Sequence, residues 1–502
     1  MLIILAHMTR YSYIWRTSVG SKRFSISIFF FNHKLLSGNE CCKQALFSYC
    51  LLHVKQVLIN ISIISLFQKV DILVFPEDGI YGMGFSRQAM EPYLEYIPDE
   101  EWNACDFPDK YENTEIQRNL SCLAKHASLY LVANIGDRQP CSAENDPHCP
   151  KDGHYQFNTN VVYNRKGDLI AKYHKINLFF ERQFDTPPTP KIVTFDTPFG
   201  KFAVFTCFDI LFKNPAIDSL LPDVGNIVFP TAWMDALPLL AAIEYHSAFA
   251  AGAKVNLLAA NINRPLKGFH GSGIYSPNGY KAFQYNESQG GKLLVADLPV
   301  IKTNYFGTAN YSQTFQSLHN SVAEQFHSYV FHDRFTFIPI NNKKGDVNVC
   351  NGDLCCFLEY ERINDSSEYF AFGAFDGLHT YEGTYYLQIC TLLKCKTSRR
   401  ESCGEPIKES STRFGKMKMT GSFRTRYIFP EVLLTDNGSL RLSSGQFWSY
   451  DNGTLETMAG FEHPVISIAL FARDYARDDA NQANHGNKLF VGIILIAVIY
   501  SI

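Results

Sequence analysis

Positive charge is never concentrated in this chain. No long basic run and no arginine stripe occurs, and 46 Lys and Arg against 49 Asp and Glu leave a formal net charge of −3. A polyanion needs a focused positive field, so the sequence argues against nucleic acid as a partner and leaves small neutral substrates open. Metal scaffolds are missing as well. With no pair of Cys-x-x-Cys knuckles and no His-Glu-x-x-His stretch, the cysteines read as disulfide partners, and no metal or other cofactor is expected. Internal repeats, low-complexity linkers and long charge runs are also absent. The N-terminus lacks the apolar core of a secretory signal. Met1-Leu-Ile-Ile-Leu-Ala-His-Met-Thr-Arg10 offers five apolar residues in a row after Met1, where about 7 to 15 are needed.

What is present is a chain of 502 residues, enough for two to four domains at ~150 residues each. Hydrophobic residues at 46% and charged ones at 19% support a large buried core. Fourteen cysteines occur. Cys41, Cys42 and Cys50 lie in an N-terminal region of doubtful origin, and Cys207 has a different context. The remainder, Cys105, Cys122, Cys141, Cys149, Cys350, Cys355, Cys356, Cys390, Cys395 and Cys403, is an even set of ten, as a disulfide framework requires. Their connectivity stays open. Asn-x-Ser/Thr triplets at Asn119, Asn286, Asn310, Asn364, Asn437 and Asn452 agree with passage through the secretory pathway. The last 14 residues, from Leu489 to Ile502, form an uncharged apolar tail after a polar stretch. That is short of the ~20 residues of a membrane span and suits a glycolipid-anchor signal, with attachment expected among Asp478, Asp479 and Ala480. A buried terminal helix or strand is the alternative.

From residue 70 onward, apolar runs suited to buried strands recur at 72–75, 129–135, 161–163, 202–206, 227–229 and 257–262. Helical stretches at 116–127 and 237–253 alternate with them, which predicts an α/β layered domain over 70–320. Beyond 325 the texture changes to short aromatic and β-branched runs at 329–337, 385–392, 427–434 and 465–471, separated by Gly, Asn and Ser turns. We expect a smaller β-rich domain over 325–475, stapled by the last six cysteines.

Three segments deliver a reactive side chain at the end of an apolar run: Asp71-Ile-Leu-Val-Phe-Pro-Glu-Asp78, Leu169-Ile-Ala-Lys-Tyr-His-Lys-Ile-Asn-Leu178 and Lys201-Phe-Ala-Val-Phe-Thr-Cys-Phe-Asp-Ile-Leu-Phe212. Singly, Glu77 reads as a solvated turn residue, Lys175 as surface and Cys207 as an inert core thiol. Together, a carboxylate, an ammonium and a thiol can carry out acyl transfer on an amide.

The wording of these segments resembles the nitrilase superfamily of carbon–nitrogen hydrolases. Phe75-Pro-Glu-Asp-Gly-Ile-Tyr-Gly82, Tyr173-His-Lys-Ile-Asn-Leu-Phe179, Thr206-Cys-Phe-Asp-Ile-Leu-Phe212 and Phe229-Pro-Thr-Ala-Trp-Met234 resemble its vanin and biotinidase branch. Phe375-Asp-Gly-Leu-His-Thr380 and Leu387-Gln-Ile-Cys-Thr-Leu-Leu-Lys-Cys395 resemble the C-terminal domain of vanins. The likeness covers 70–478. It implies a four-layer α-β-β-α sandwich with Glu77 as base, Lys175 as cation and Cys207 as nucleophile. It further implies Glu181 as a second carboxylate, the Phe208 N–H as an oxyanion donor, and Trp233 in the substrate pocket, although a core aromatic is an equal reading of Trp233. Glu77 and Lys175 are expected to correct the thiol's low fraction of thiolate at neutral pH. Residues 1–69 show no likeness to the family, which would place a first strand and helix there. We expect an incorrect exon join, with no strand from this segment paired beside 72–75; a divergent leader is the alternative.

The resemblance implies hydrolysis of the amide of pantetheine through a cysteine thioester, without a cofactor, by a protein anchored at the extracellular face of the cell membrane or secreted. Hydrolysis of biotin amides is the second reading. A catalytically silent cell-surface interaction protein is the third. Oligomeric state is open.

Overall fold

The computed structural model describes residues 23–30, 70–285, 291–301, 324–364 and 367–478. In its first part, strands buried on both faces build two stacked sheets. Ile72 and Val74 face a cluster containing Phe202, Val204 and Val228, while Leu73 and Phe75 face Leu120, Leu123 and Ala124 of the helix Glu115–Ala127. Alternate residues of one strand thus serve two different cores, the reading expected of a continuous apolar run.

The first sheet has eight strands. Its order is Lys292–Pro299, Arg23–Phe30, Ile72–Val74, Tyr130–Pro140, His154–Tyr163, Asp168–His174 and Trp102–Asn103, with Leu94–Glu95 also paired to Tyr130–Pro140. The second has six, in the order Gly279–Gln284, Ser272–Ser276, Asn256–Asn261, Val224–Thr231, Gly200–Val204 and Val193–Thr197. The helix Glu115–Ala127 covers the outside of the first sheet, and Ala242–Ala253 packs beside the second. This is the predicted four-layer α-β-β-α sandwich.

The expectation of no strand beside 72–75 is overturned. Arg23–Phe30 runs parallel to Ile72–Val74, with Ile26 opposite Ile72 and Ile28 opposite Val74, and antiparallel to Lys292–Pro299. Without it, the backbone groups on that edge of a wholly buried strand would lack partners. The signal was legible, because Phe24, Ile26 and Ile28 alternate with Ser25 and Ser27. The helix predicted over 237–253 begins only at Ala242. Pro238 has no N–H to donate and biases Leu237 away from helical backbone, and the Asp235 carboxylate accepts the Ala242 N–H at 2.8 Å where the helix starts.

The second part is a sandwich of a seven-stranded and a five-stranded sheet among the described residues. The run predicted at 329–337 is a hairpin rather than one strand. Phe331 and His332, both at positive φ, turn Phe326–Val330 into Asp333–Ile340. All ten framework cysteines pair, as Cys105–Cys122, Cys141–Cys149, Cys350–Cys355, Cys356–Cys390 and Cys395–Cys403. Cys356–Cys390 joins the two sheets through their shared core. The seven-stranded sheet turns its other face to the helix Ala242–Ala253, where Phe249 stacks on Phe429 and Tyr245 meets Phe471 edge-on. A Cβ at Gly252 would lie 2.5 Å from the Ile428 carbonyl oxygen, so helix and sheet approach as closely as only glycine permits.

Candidate active site

Each predicted residue follows the C-terminal end of a strand. Glu77 comes after Ile72–Val74, Lys175 directly after Asp168–His174, and Cys207 three residues beyond the end of Gly200–Val204. The stacking of the sheets brings these ends together. The Lys175 ammonium donates to Glu77 Oε1 at 2.7 Å and lies 2.6 Å from Glu181 Oε2. Glu77 Oε2 accepts the Ala232 N–H at 2.8 Å. Asn158 Nδ2 bridges the carboxylates, donating to Glu77 Oε1 at 2.8 Å and Glu181 Oε1 at 2.6 Å.

Burial works against the charge of Lys175, yet the facing Glu181 and Glu77 raise its pKa well above the ordinary range. Burial, with Glu77 alongside, pushes Glu181 up despite Lys175. Burial likewise drives the Cys207 thiol well up, Glu77 adds to this, and Lys175, Thr231 and the Ala232 amide only partly oppose it. Burial and Glu77 thus work against a resting thiolate, and Lys175 works in its favour. Burial disfavours the thiolate, so a base beside the thiol to take its proton matters to any attack by sulfur.

Cys207 is 6% exposed and is the one free cysteine among the described residues. It opens the short helix Cys207–Leu211 at φ 49°, a left-handed backbone that costs a non-glycine residue about 1–3 kcal/mol unless its surroundings enforce it. Those surroundings centre on Asp209. Its carboxylate accepts from the Thr206 N–H at 3.1 Å, the Tyr173 hydroxyl at 2.6 Å and the Asn177 N–H at 2.8 Å, and burial pushes its pKa up to about 6. The Phe208 N–H stands in the first turn, where a helix offers it no internal partner.

The sequence carries the matching family signatures on both parts. Residues 46–303 match the carbon–nitrogen hydrolase model, and 324–478 match the vanin C-terminal domain. Pantetheinase from Mus musculus is 47% identical over 449 residues, covering 86% of each chain. Pantetheinase from Homo sapiens is 47% identical over 441 residues, covering 86% of this chain and 85% of its own. Biotinidase from Mus musculus is 41% identical over 444 residues, covering 81% and 84%. The chain belongs to the vanin and biotinidase branch of the carbon–nitrogen hydrolases. The match begins at residue 46, so it enters the 1–69 segment in which no family likeness was expected.

In this carbon–nitrogen hydrolase, Trp233 packs among the aromatic side chains beside the second sheet. It is 7% exposed, stacks on Tyr245 with centroids 5.9 Å apart and donates its indole N–H to the Leu240 carbonyl at 2.9 Å. Of the triplet asparagines, Asn437 and Asn452 are exposed at hairpin turns, Asn119 is half-buried on a helix and Asn364 is half-buried with its amide engaged by Ser411 and Arg413. Asn286, Asn310 and the tail 479–502 lie outside the described residues.

Sequence reasoning missed Asn158 and its neighbours. Asn134 donates to Asn158 Oδ1 at 2.6 Å and Asn160 Oδ1 at 3.0 Å, and Asn160 donates to Thr206 Oγ1 at 2.8 Å. This amide ladder ties the Glu77 loop to the residue before Cys207. Its signal is Asn158 and Asn160 alternating just before the apolar run Val161-Val162-Tyr163, in a strand buried along its whole length.

Proposed function

We propose that this enzyme hydrolyses the amide of pantetheine, giving pantothenate and cysteamine, through a thioester on Cys207. The observation that carries the reading is a buried Lys175 held between Glu77 and Glu181, with Glu77 and Lys175 both acting electrostatically on Cys207, the one free cysteine among the described residues. Glu77 takes the thiol proton as sulfur attacks the amide carbonyl. The carbonyl π electrons move onto oxygen, and the oxyanion is met by the Lys175 ammonium and the Phe208 N–H. As the tetrahedral intermediate collapses, Glu77 returns the proton to the leaving nitrogen and the C–N bond breaks. Glu77 next deprotonates a water that attacks the thioester, releasing the acid and regenerating the thiol. Glu181 and Asn158 hold Lys175 and Glu77 in register.

Five pantetheinases at 46–48% identity stand slightly nearer this chain than the biotinidases of Mus musculus at 41% and Takifugu rubripes at 45%, which leans toward pantetheine over biotin amides, while a human pantetheine hydrolase stands at 41%. Glycans are expected first at Asn437 and Asn452, where the side chains are exposed. Attachment of a lipid near Asp478 would hold the enzyme at the outer cell surface.

Cys207→Ala should abolish cysteamine release without unfolding the protein, since the thiol adds little packing beyond its sulfur. Mass spectrometry of enzyme quenched during turnover should find a pantothenoyl adduct on Cys207. Robust turnover by Cys207→Ala would sink the mechanism. Preference for a biotin amide would overturn the substrate alone.

A further inference from the structure

We propose that Arg473, on the last strand of the second domain, positions the nucleophile, so that the second domain completes the catalytic apparatus. The inference rests on Cys207 being the nucleophile. Arg473 is the largest fully buried side chain described, at 0% exposed. Its Nε donates to the Leu211 carbonyl at 2.8 Å, and Leu211 is the last residue of the helix that Cys207 opens. The same guanidinium donates to the Tyr386 carbonyl and pairs with Asp478 at 2.7 Å. The Tyr385 and Tyr475 rings flank it, with centroids 5.0 and 4.5 Å from its central carbon.

A five-residue helix has no cooperative stability of its own, and its last carbonyls have no partner inside it. The left-handed backbone at Cys207 therefore persists only because both ends are held from outside. The first domain holds the start through Thr206, Asp209, Tyr173 and Asn177. The second domain holds the end. Arg473 takes Leu211, Tyr385 meets the ring of Phe212 at 6.0 Å, and a Cβ at Gly383 would lie 3.1 Å from the Phe208 ring. Arginine suits the task because its planar fork serves three acceptors at once, whereas a lysine ammonium is a single point. Asp478 also accepts the Tyr386 N–H at 2.7 Å, so this anchor lies at the residue where the polar tail begins.

The test uses the full-length protein carrying Arg473→Lys or Asp478→Asn. Three quantities are read: the thermal midpoint, kcat and KM on pantetheine, and the rate at which iodoacetamide alkylates Cys207, located by peptide mass spectrometry. A displaced nucleophile should lower kcat by about 10- to 100-fold in Arg473→Lys while KM stays within about twofold, and the alkylation rate of folded protein should change. A folded Arg473→Lys variant with wild-type kcat and alkylation rate would overturn the proposal. If that variant shows no cooperative thermal transition, Asp478→Asn decides. It keeps the arginine and removes its counter-charge, so a fall in kcat at unchanged KM supports positioning and an unchanged kcat refutes it. Alkylation needs no substrate, so the result stands even if pantetheine proves not to be hydrolysed.

Discussion

Two glutamate pairs occupy opposite sides of the second sheet, and the protein treats them in contrary ways. Between the sheets, Glu77 and Glu181 share the Lys175 ammonium and the Asn158 amide. Between the helix Ala242–Ala253 and the second domain, Glu244 and Glu431 have no cation bonded to either carboxyl among the described residues. Glu244 Oε1 accepts the Ser467 hydroxyl at 2.6 Å, while Glu244 Oε2 and both oxygens of Glu431 have no hydrogen-bond partner. Burial raises Glu244 and Glu431 well above the ordinary carboxylate range, and Glu244 adds to the shift of Glu431. Burial thus weighs against the charged form of the second pair, and Glu244 ties the first domain to Ser467 of the second. The difference teaches that a counter-cation opposes what burial does to an interior carboxyl, and that without one burial acts unopposed.

Removing the cation should break the contrast most severely. Lys175→Met leaves two carboxyls facing each other without a counter-charge, and should lower kcat by about 10²- to 10³-fold with a loss of about 3–5 kcal/mol in urea unfolding. Glu244→Gln replaces a neutral acid by a neutral amide, so stability should stay within about 1 kcal/mol and turnover within about twofold. Equal damage from both substitutions would erase the distinction.

Asn158→Leu comes next, because it keeps the charges and removes the bridge. With both carboxyls losing a donor, kcat should fall by about 10- to 100-fold and KM should change little. An unaltered kcat would mean that Lys175 alone aligns the two acids.

The pH dependence of stability offers a finer measurement. Glu244 and Glu431 titrate higher in the folded chain than in the unfolded one, so their contribution is complete below the unfolded value of about 4.3 and is lost as pH rises through their folded values. Wild-type stability should decline toward alkaline pH, and Glu244→Gln combined with Glu431→Gln should flatten that decline. Parallel curves for the two proteins would assign the dependence to other groups.

Much of the fold was legible where a single segment carries the signal. The runs at 129–135 and 202–206 announce buried strands, and the even cysteine set announces five bridges. The segment 23–30 is readable by its alternation, although its surroundings resemble nothing in the family. Apolar spacing alone extends the helix over 237–253, and Pro238 shortens it to Ala242–Ala253. Trp233 shows the opposite limit. A tryptophan after a strand end suits a pocket wall or a core equally, and its contacts with Tyr245 and the Leu240 carbonyl arise only in the folded chain.

By itself, the sequence determined which reactive side chains stand at strand ends and in what order, because apolar runs and the residues that stop them are local properties. Tertiary structure alone decided that Lys175 meets Glu77 across 98 positions and that Arg473 reaches Leu211 across 262. It also decided the pairing of the cysteines and the upward pKa shifts of Cys207, Glu244 and Glu431. Those outcomes depend on desolvation and on distances between residues remote in the chain, and both come into being only when the sheets and domains close on one another.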